Sequence, residues 1–293
     1  MKLNGRSCAI SSVYSLFFNE NVCISFLFEN NILYREQFCP NCNTEMKLYI
    51  DAGNFKCPKR TCRKSISVRK SSFFAGHRLP CCKILFLGYL WLTKTPVTSA
   101  KAISGHGSRE ICNFYAYFRQ LVADCVELED VTIGGENVIV EIDESKFGKR
   151  KNHRGHHVEG TWVVGGVERT AERKFFAVPV ENRTSDTLMD IIRRHVRPGS
   201  IIYTDMWKGY EPLQDESFQH MTVNHSRFFR DPISGVHTNT IEGTWNGIKL
   251  LVKPRNRVRE GMEEHLWEFI WRRKNEGRLW EGFIEALKEI AYE

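Results

Sequence analysis

Two acidic stretches stand where hydrophobic runs stop. "NVIVEIDES" alternates so that Ile139, Glu141 and Asp143 share one face of a strand, while Val138, Val140 and Ile142 share the other. "SIIYTD" runs into Asp205, and Trp207, Lys208 and Tyr210 follow in "MWKGY". Carboxylates on neighbouring strand ends repel unless a cation stands between them, and such oxygen donors suit a hard ion, Mg²⁺ or Mn²⁺. A third acid, Glu242, lies in "HTNTIEGTWNGIKLLV". At about 100° per residue, Ile241, Trp245, Ile248 and Val252 form an apolar stripe, and Asn239, Glu242, Asn246 and Lys249 a polar one. On its own, Glu242 also reads as an ordinary solvent-facing glutamate. Gly243 and Gly247 each cost about 1 kcal/mol of helix propensity relative to Ala, which points to close packing or tight approach along this helix.

A second set of residues has metal-ligand spacing. "CPNC" supplies Cys39 and Cys42, and "CPKRTC" supplies Cys57 and Cys62. Thiolates two to four residues apart can grip one tetrahedral Zn²⁺ from a tight turn. The intervening "NTEMKLYIDAGNFK" reads as strand, Gly-Asn turn, strand, which together make a zinc ribbon; two buried pairs of free cysteines are the alternative. Cys8, Cys23, Cys81, Cys82, Cys112 and Cys125 show no ligand spacing and read as small core residues. Lys56, Lys59, Arg60, Arg63, Lys64, Arg69 and Lys70 flank the ribbon and could lie against phosphates, or simply form a solvated face.

These residues need elements to position them. After the first strand, "GTWVVGGVER" and "KFFAVPVENR" read as two more strands, turning around Thr170-Ala171-Glu172 into an antiparallel meander. "TSDTLMDIIRRHV" carries Leu188, Ile191, Ile192 and Val196 at helical spacing, with Thr184 and Ser185 as cap candidates and Pro198-Gly199 as the stop. Strand, strand, strand, helix, strand is the order of ribonuclease H-like domains, in which the first strand and the one after the helix are neighbours. That fold would bring Asp143 and Asp205 face to face. Upstream, residues 81–128 read as helices: "CCKILFLGYLWL" is apolar all round, and two further helical patterns break at Ser104-Gly105-His106-Gly107, with Ser108 as the next N-cap. This outlines a helix-turn-helix. The expected domains are therefore 1–34, without an assignable role; 35–75, the ribbon; 76–130, helical and DNA-binding; 131–280, an α/β catalytic domain with a mixed sheet flanked by helices; and 281–293, a C-terminal helix.

Composition agrees with a polyanionic partner. The 293 residues carry 42 Lys+Arg against 35 Asp+Glu, a net charge of +7. Ten cysteines in so long a chain, without a compact apolar leader, suit a reducing compartment. The apolar stretches are interrupted by polar residues and fall short of the roughly 18 to 20 residues of a membrane span. No internal repeat or low-complexity tract is visible.

The ordered set "EIDES", "YTDMWKGY", "VNHS" and "HTNTIEGTWNGIK", behind a four-cysteine ribbon, resembles the Merlin-type transposases of DNA transposons and their bacterial insertion-sequence relatives. The resemblance spans roughly residues 35–280 and implies a ribonuclease H-like fold with Asp143, Asp205 and Glu242 as the catalytic, metal-binding triad. It implies two-metal-ion DNA cleavage and strand transfer at terminal inverted repeats. The implied partners are transposon-end and target duplex DNA and further copies of the chain, with no membrane and no small-molecule substrate. The expected location is the nucleus in a eukaryotic host, the cytoplasm or nucleoid in a bacterial one. His225 in "VNHS" and His237 in "GVHTN" match family positions and could contact the scissile phosphate or orient a ligand; each also reads as a structural histidine. Two basic runs could bind phosphates: "KFGKRKNHRGHH", with Lys149, Arg150, Lys151 and Arg154, and the Lys249 helix with "KPRNRVR", adding Lys253, Arg255 and Arg257. The first run also fits a nuclear import signal. Trp245 is expected in the core, Trp207 and Tyr210 in the core or the loop over the site. The last helices, in "MEEHLWEFIWRRKNEG" and "WEGFIEALKEIAYE", are expected on the catalytic sheet or against another subunit. A ribonuclease H-fold nuclease without strand transfer, and a host-retained DNA-binding protein that no longer cuts, are the competing readings.

Overall fold

The computed structural model describes residues 9–148, 160–224, 227 and 229–290, without the side chains of residues 128, 129, 215 and 255. The chain forms two compact units, Met1–Cys125 with Asn275–Glu293, and Val126–Lys274.

The first unit opens with α1 (Ile10–Phe18) and α2 (Glu20–Glu29). Asn19 separates them, its Oδ1 accepting the amides of Asn21 and Val22 at 3.0 and 3.2 Å as an N-cap does. Three short antiparallel strands follow, β1 (Lys47–Tyr49), β2 (Asn54–Lys56) and β3 (Ser65–Ser67). Then come α3 (Cys81–Leu92), α4 (Val97–Ser104) and α5 (Ser108–Ala123). As its composition suggests, α3 is buried along most of its surface. The α2 residue Glu20 receives the amides of Cys81 and Cys82, both at 2.9 Å, and pairs with Arg69 at 2.9 Å. The segment without an assignable role therefore caps α3 and anchors the chain leaving β3. Gly105, at φ 74°, ends α4 in the left-handed region that glycine adopts freely. Gly107 in extended geometry takes the N-cap of α5, so Ser108 is the first helical residue and makes no cap hydrogen bond, a correction to its expected place.

The second unit contains β4 (Ile133–Gly134), β5 (Ile139–Phe147), β6 (Thr161–Glu168), β7 (Phe175–Val180), α6 (Ser185–His195), β8 (Val196–Arg197), β9 (Ile201–Asp205), β10 (Gln219–Val223), α7 (Asn239–Leu251) and α8 (Met262–Lys274). Its five-stranded sheet runs β10-β9-β5-β6-β7. The β5-β6-β7 part is an antiparallel meander, whereas β9 lies parallel to β5 and β10 parallel to β9, giving a mixed sheet. The small β4 and β8 pair with each other. Thr184 caps α6, and Val196 leaves the helix for β8 instead of closing the helical stripe.

Successive residues of β7 show how the layers are arranged. Phe175 meets Trp245 and Phe269 edge-on, while Phe176 stacks on His195, so α7 and α8 cover one face and α6 the other. Ile241, Trp245 and Ile248 of α7, Leu266 and Ile270 of α8, and Leu188 and Ile192 of α6 join the strand residues in one apolar core. The last helix, α9 (Leu279–Glu289), belongs to the first unit, where Phe283 meets Phe118 and Trp280 meets Phe17. Of the two C-terminal helices expected on the sheet or against another subunit, α8 packs on the sheet and α9 belongs to the first unit. Among the described residues, no helix is long and apolar enough to cross a membrane.

Candidate functional site

The parallel pairing of β5 with β9 sets the first two acids. Ile139 pairs with Ile201 and Glu141 with Tyr203, and the same register carried two residues on brings Asp143 level with Asp205. Asp143 faces α7, where Trp245 Nε1 donates to its Oδ2 at 3.1 Å; Asp205 Oδ1 receives the Trp207 amide at 3.0 Å. Trp245 is thus the expected core residue and also a donor to an acid. Across the ladder, Asp143 pairs with Gly165, and a Cβ there would stand 2.6 Å from the Trp245 ring. The missing side chain at Gly165 leaves the room the indole occupies as it reaches Asp143.

The third acid depends on Glu141, whose side chain is 0% exposed. Its carboxylate accepts the Thr240 amide at 2.8 Å, the Thr240 hydroxyl at 2.8 Å and the Ile241 amide at 2.9 Å, which satisfies the first turn of α7. Arg169 Nε donates to the same carboxylate at 2.5 Å, so the buried charge is paired and fully hydrogen-bonded. Arg169 Nη2 also meets His237 Nδ1 at 2.8 Å and its carbonyl at 2.7 Å. His237 is therefore built into the clamp, and burial together with Arg169 holds its imidazole below its ordinary range. The sequence signal for Glu141 was its shared face with Asp143.

Electrostatics tie the acids together. Burial, with Asp205 and Glu242 adding repulsion, pushes Asp143 up to about 6. Glu144 points to the opposite face of β5, where burial pushes it to about 7 beside the fully buried Tyr210, and its Oε1 has no hydrogen-bond partner. The loop after Asp205 is locked by stacking. The Arg183 guanidinium lies 3.7 Å from the Trp162 ring centre and 4.7 Å from that of Trp207, and Ser185 Oγ donates to the Gly209 carbonyl at 2.9 Å. Neither Glu144 nor Arg183 stood out in the sequence.

Among the basic candidates, Lys249 is half-buried over Phe147, and burial followed by Arg257 lowers its ammonium. Arg257 donates to the carbonyls of Val252, at 2.9 Å, and Lys249, closing the C-terminus of α7. Lys253 is exposed. Lys149, Arg150, Lys151, Arg154 and His225, with the Arg255 side chain, lie outside the described residues.

In the first unit, Cys39, Cys42, Cys57 and Cys62 bring their sulfurs within 4.8 Å of one another. Cys39 and Cys62 are 3.4 Å apart and Cys42 and Cys57 3.5 Å, close to the ~3.8 Å edge of a tetrahedron with Zn–S bonds of about 2.3 Å. Each pair sits on a tight turn: Asn43 and Arg63, immediately after the second cysteine of each, have φ of 50° and 47°. Hydrogen bonds with Thr44 pull the Cys42 thiol down, whereas burial pushes Cys57 up, and a bound metal would hold both as thiolates. The four-cysteine cluster could hold zinc. Among the described residues it is the one group of three or more such ligands gathered this closely; the three acids share an end of the sheet without closing into a comparable set. Of the basic flank, Lys56, Lys59, Arg60, Arg63, Lys64 and Lys70 are exposed, whereas Arg69 is committed to Glu20.

Comparison with known proteins gives the site a context. Residues 121–273 match the ISXO2-like transposase domain. An uncharacterized transposase-like protein of Haemophilus influenzae is 37% identical over 103 residues, 35% of this chain and 82% of that relative.

Proposed function

Since the chain belongs to the ISXO2-like transposase domain family, we propose that it cleaves DNA at the terminal repeats of its element and transfers the freed 3′ ends to a target. The observation that carries this reading is the parallel β5–β9 register ending at Glu141 beside Tyr203, which, carried two residues on, aligns Asp143 with Asp205, together with the Trp245 bond to Asp143 from the helix bearing Glu242. The strand order β10-β9-β5-β6-β7, with helices on both faces, supports a ribonuclease H-like catalytic domain. The likeness to Merlin-type elements belongs to the same proposal.

The donor set suits hard divalent ions. Asp143 is raised partly by repulsion from Asp205 and Glu242, a strain that a cation between them relieves. Mg²⁺ or Mn²⁺ held by these three carboxylates would activate a water or a 3′-hydroxyl and stabilise the leaving oxygen of an in-line displacement at phosphorus. The chain's own part is to hold the carboxylates in place. Trp245 fixes Asp143, the Trp207 amide fixes Asp205, and Glu141 fixes the helix of Glu242.

The cysteine cluster, holding zinc, and the α4–α5 hairpin would recognise the transposon ends, with exposed Lys59, Arg60 and Lys64 against phosphates. His225, His237, Lys249 and the two basic runs are further candidates for DNA contact. Joining two ends requires at least two copies, in whichever compartment holds the element: the nucleus, or the bacterial nucleoid.

The test is a cleavage and strand-transfer assay on the element's terminal repeats with Mg²⁺, comparing wild type with Asp205→Ala. Products from the wild type alone support a working transposase; nicks without joined products indicate a nuclease. Binding by both proteins with cleavage by neither supports the host-retained DNA-binding reading.

A further inference from the structure

We propose that Arg173 and Arg273 form a phosphate-binding site for duplex DNA on the flank of α7 opposite Glu242, an inference that rests on the transposase reading. A cavity of about 380 Å³ opens there, lined by Arg173, Asn239, Thr240, Gly243, Thr244 and Arg273. Three independent features suit it to an external anion.

The first is Gly243. The two α7 glycines, unexplained from sequence, have different surroundings. A Cβ at Gly247 would meet the Phe269 ring at 3.3 Å, so that glycine admits α8. A Cβ at Gly243 would meet nothing within 4 Å. Among the described residues nothing therefore offsets the ~1 kcal/mol that glycine costs in a helix. Its missing side chain makes room only for something approaching from outside. With about 100° between consecutive residues, Gly243 is the sector separating Glu242 from Thr244, so a strand crossing α7 between the acid and the cavity passes over it.

The second is Arg173. It has φ of 50°, a conformation that few non-glycine residues adopt, in the turn joining β6 to β7. Its amide donates to Thr170 Oγ1 at 3.2 Å and its carbonyl receives Arg273 Nη1 at 3.0 Å, so the strained turn is held from both sides. The side chain it presents is exposed, and among the described residues its guanidinium meets no acid. Arg169, Arg193, Arg194, Arg259 and Arg272 of the same unit are all paired with carboxylates.

The third is Arg273. It packs over Phe175 and Phe269 and donates to Thr244 Oγ1 at 3.3 Å, which fixes a cation on the far wall of the cavity. Two guanidiniums then converge on a bare helix surface across Gly243 from Glu242. A backbone phosphate fits that chemistry, and the contact carries no base information.

The experiment measures binding of the full chain to a 30-base-pair duplex of arbitrary sequence across a salt series, for wild type, Arg173→Ala, Arg173→Lys, Gly243→Ala and Asp205→Ala. Arg173→Ala should weaken binding several-fold and lower the slope of log affinity against log salt by about 0.9, with Arg173→Lys in between. Gly243→Ala should raise thermal stability through helix propensity and still weaken binding, a combination no purely structural role produces. Unchanged affinity and salt slope in Arg173→Ala would overturn the phosphate site. Asp205→Ala, tested alongside for binding and for cleavage of the terminal repeats, separates the two ideas: full binding with lost cleavage upholds the transposase reading whatever Arg173 does. A wild type that neither binds nor cuts duplex DNA overturns both.

Discussion

Glu141 holds the backbone amide of Thr240 at 2.8 Å, and that contact joins the strand carrying Asp143 to the helix carrying Glu242. Glu141 and Asp143 are two residues apart on one strand face; Thr240 and Glu242 are two apart in the first turn of α7. The spacing of the acids is thus set by a buried carboxylate that needs no part in the chemistry. Arg169 pairs with it and holds it aligned.

Removing this clamp tests its weight. Glu141→Ala leaves two helix amides and a half-buried guanidinium without their acceptor and should cost about 3–5 kcal/mol. Glu141→Gln keeps an acceptor for the helix but loses the charge opposite Arg169, and should cost about 1–3 kcal/mol. Both should cut DNA cleavage more than DNA binding. Urea unfolding with parallel cleavage assays checks this; a loss of under about 0.5 kcal/mol in Glu141→Ala would refute the clamp.

Asp143 gives a pH prediction with a definite sign. Its folded-state value of about 6 lies above the ordinary 3.8, so in that window the folded chain holds a proton that the unfolded chain has released. The burden is absent below about pH 4, grows through the window, and is complete above about pH 6. Without divalent metal, Asp143→Asn should therefore be more stable than wild type at about pH 8, by about 3 kcal/mol, and no more stable at about pH 4. Added Mg²⁺ should close the gap by stabilising the wild type alone. Thermal denaturation at both pH values decides it: a gap that fails to shrink on acidification means burial does not strain Asp143.

The parts legible in the sequence share a physical basis. Asp205 ends β9, whereas Asp143 lies in the middle of β5 and not at the strand end the sequence suggested; the face it shares with Glu141 was legible from the period of two, and the cysteine spacing is a local property of tight turns, so neither needed long-range information. β10 was missed because it is an edge strand whose residues are mostly exposed, leaving no alternation to read. α1 and α2 were passed over because their role lies in Glu20 reaching Cys81 and Cys82, far along the chain. The Arg183 stack between Trp162 and Trp207 likewise joins three separate segments. Glu141 shows the same limit: its face could be read, but its partners exist only once α7 has docked.

Gly165 is predicted to be indispensable for a steric reason. An alanine there would bring its Cβ to 2.6 Å from Trp245 and 2.8 Å from the Phe176 carbonyl, against the strand that pairs with Asp143. Such overpacking costs about 1–3 kcal/mol. It should also lower cleavage by tilting the indole away from Asp143. If the ring is the main obstacle, adding Trp245→Phe to Gly165→Ala should cost less than the sum of the single changes. Strictly additive losses would place the clash at the Phe176 carbonyl instead.

The cysteine cluster makes the most direct prediction, because metal content can be measured without any DNA. Cys39, Cys42, Cys57 and Cys62 gather as closely as a tetrahedral site requires, on turns where Asn43 and Arg63 already hold positive φ. The small β1-β2-β3 sheet around them buries little beyond Met46, Phe55, Ile66 and Val68, too few apolar residues to stabilise three short strands alone. A bound metal would therefore supply much of this module's folding energy. Wild type should purify with a single zinc per chain, and Cys57→Ser should lose most of it and open the ribbon to proteolysis. Cys112→Ser, at an exposed thiol on α5 outside the cluster, should keep its zinc. Equal zinc in wild type and Cys57→Ser, by elemental analysis of the purified proteins, would mean the four thiols do not hold the ion.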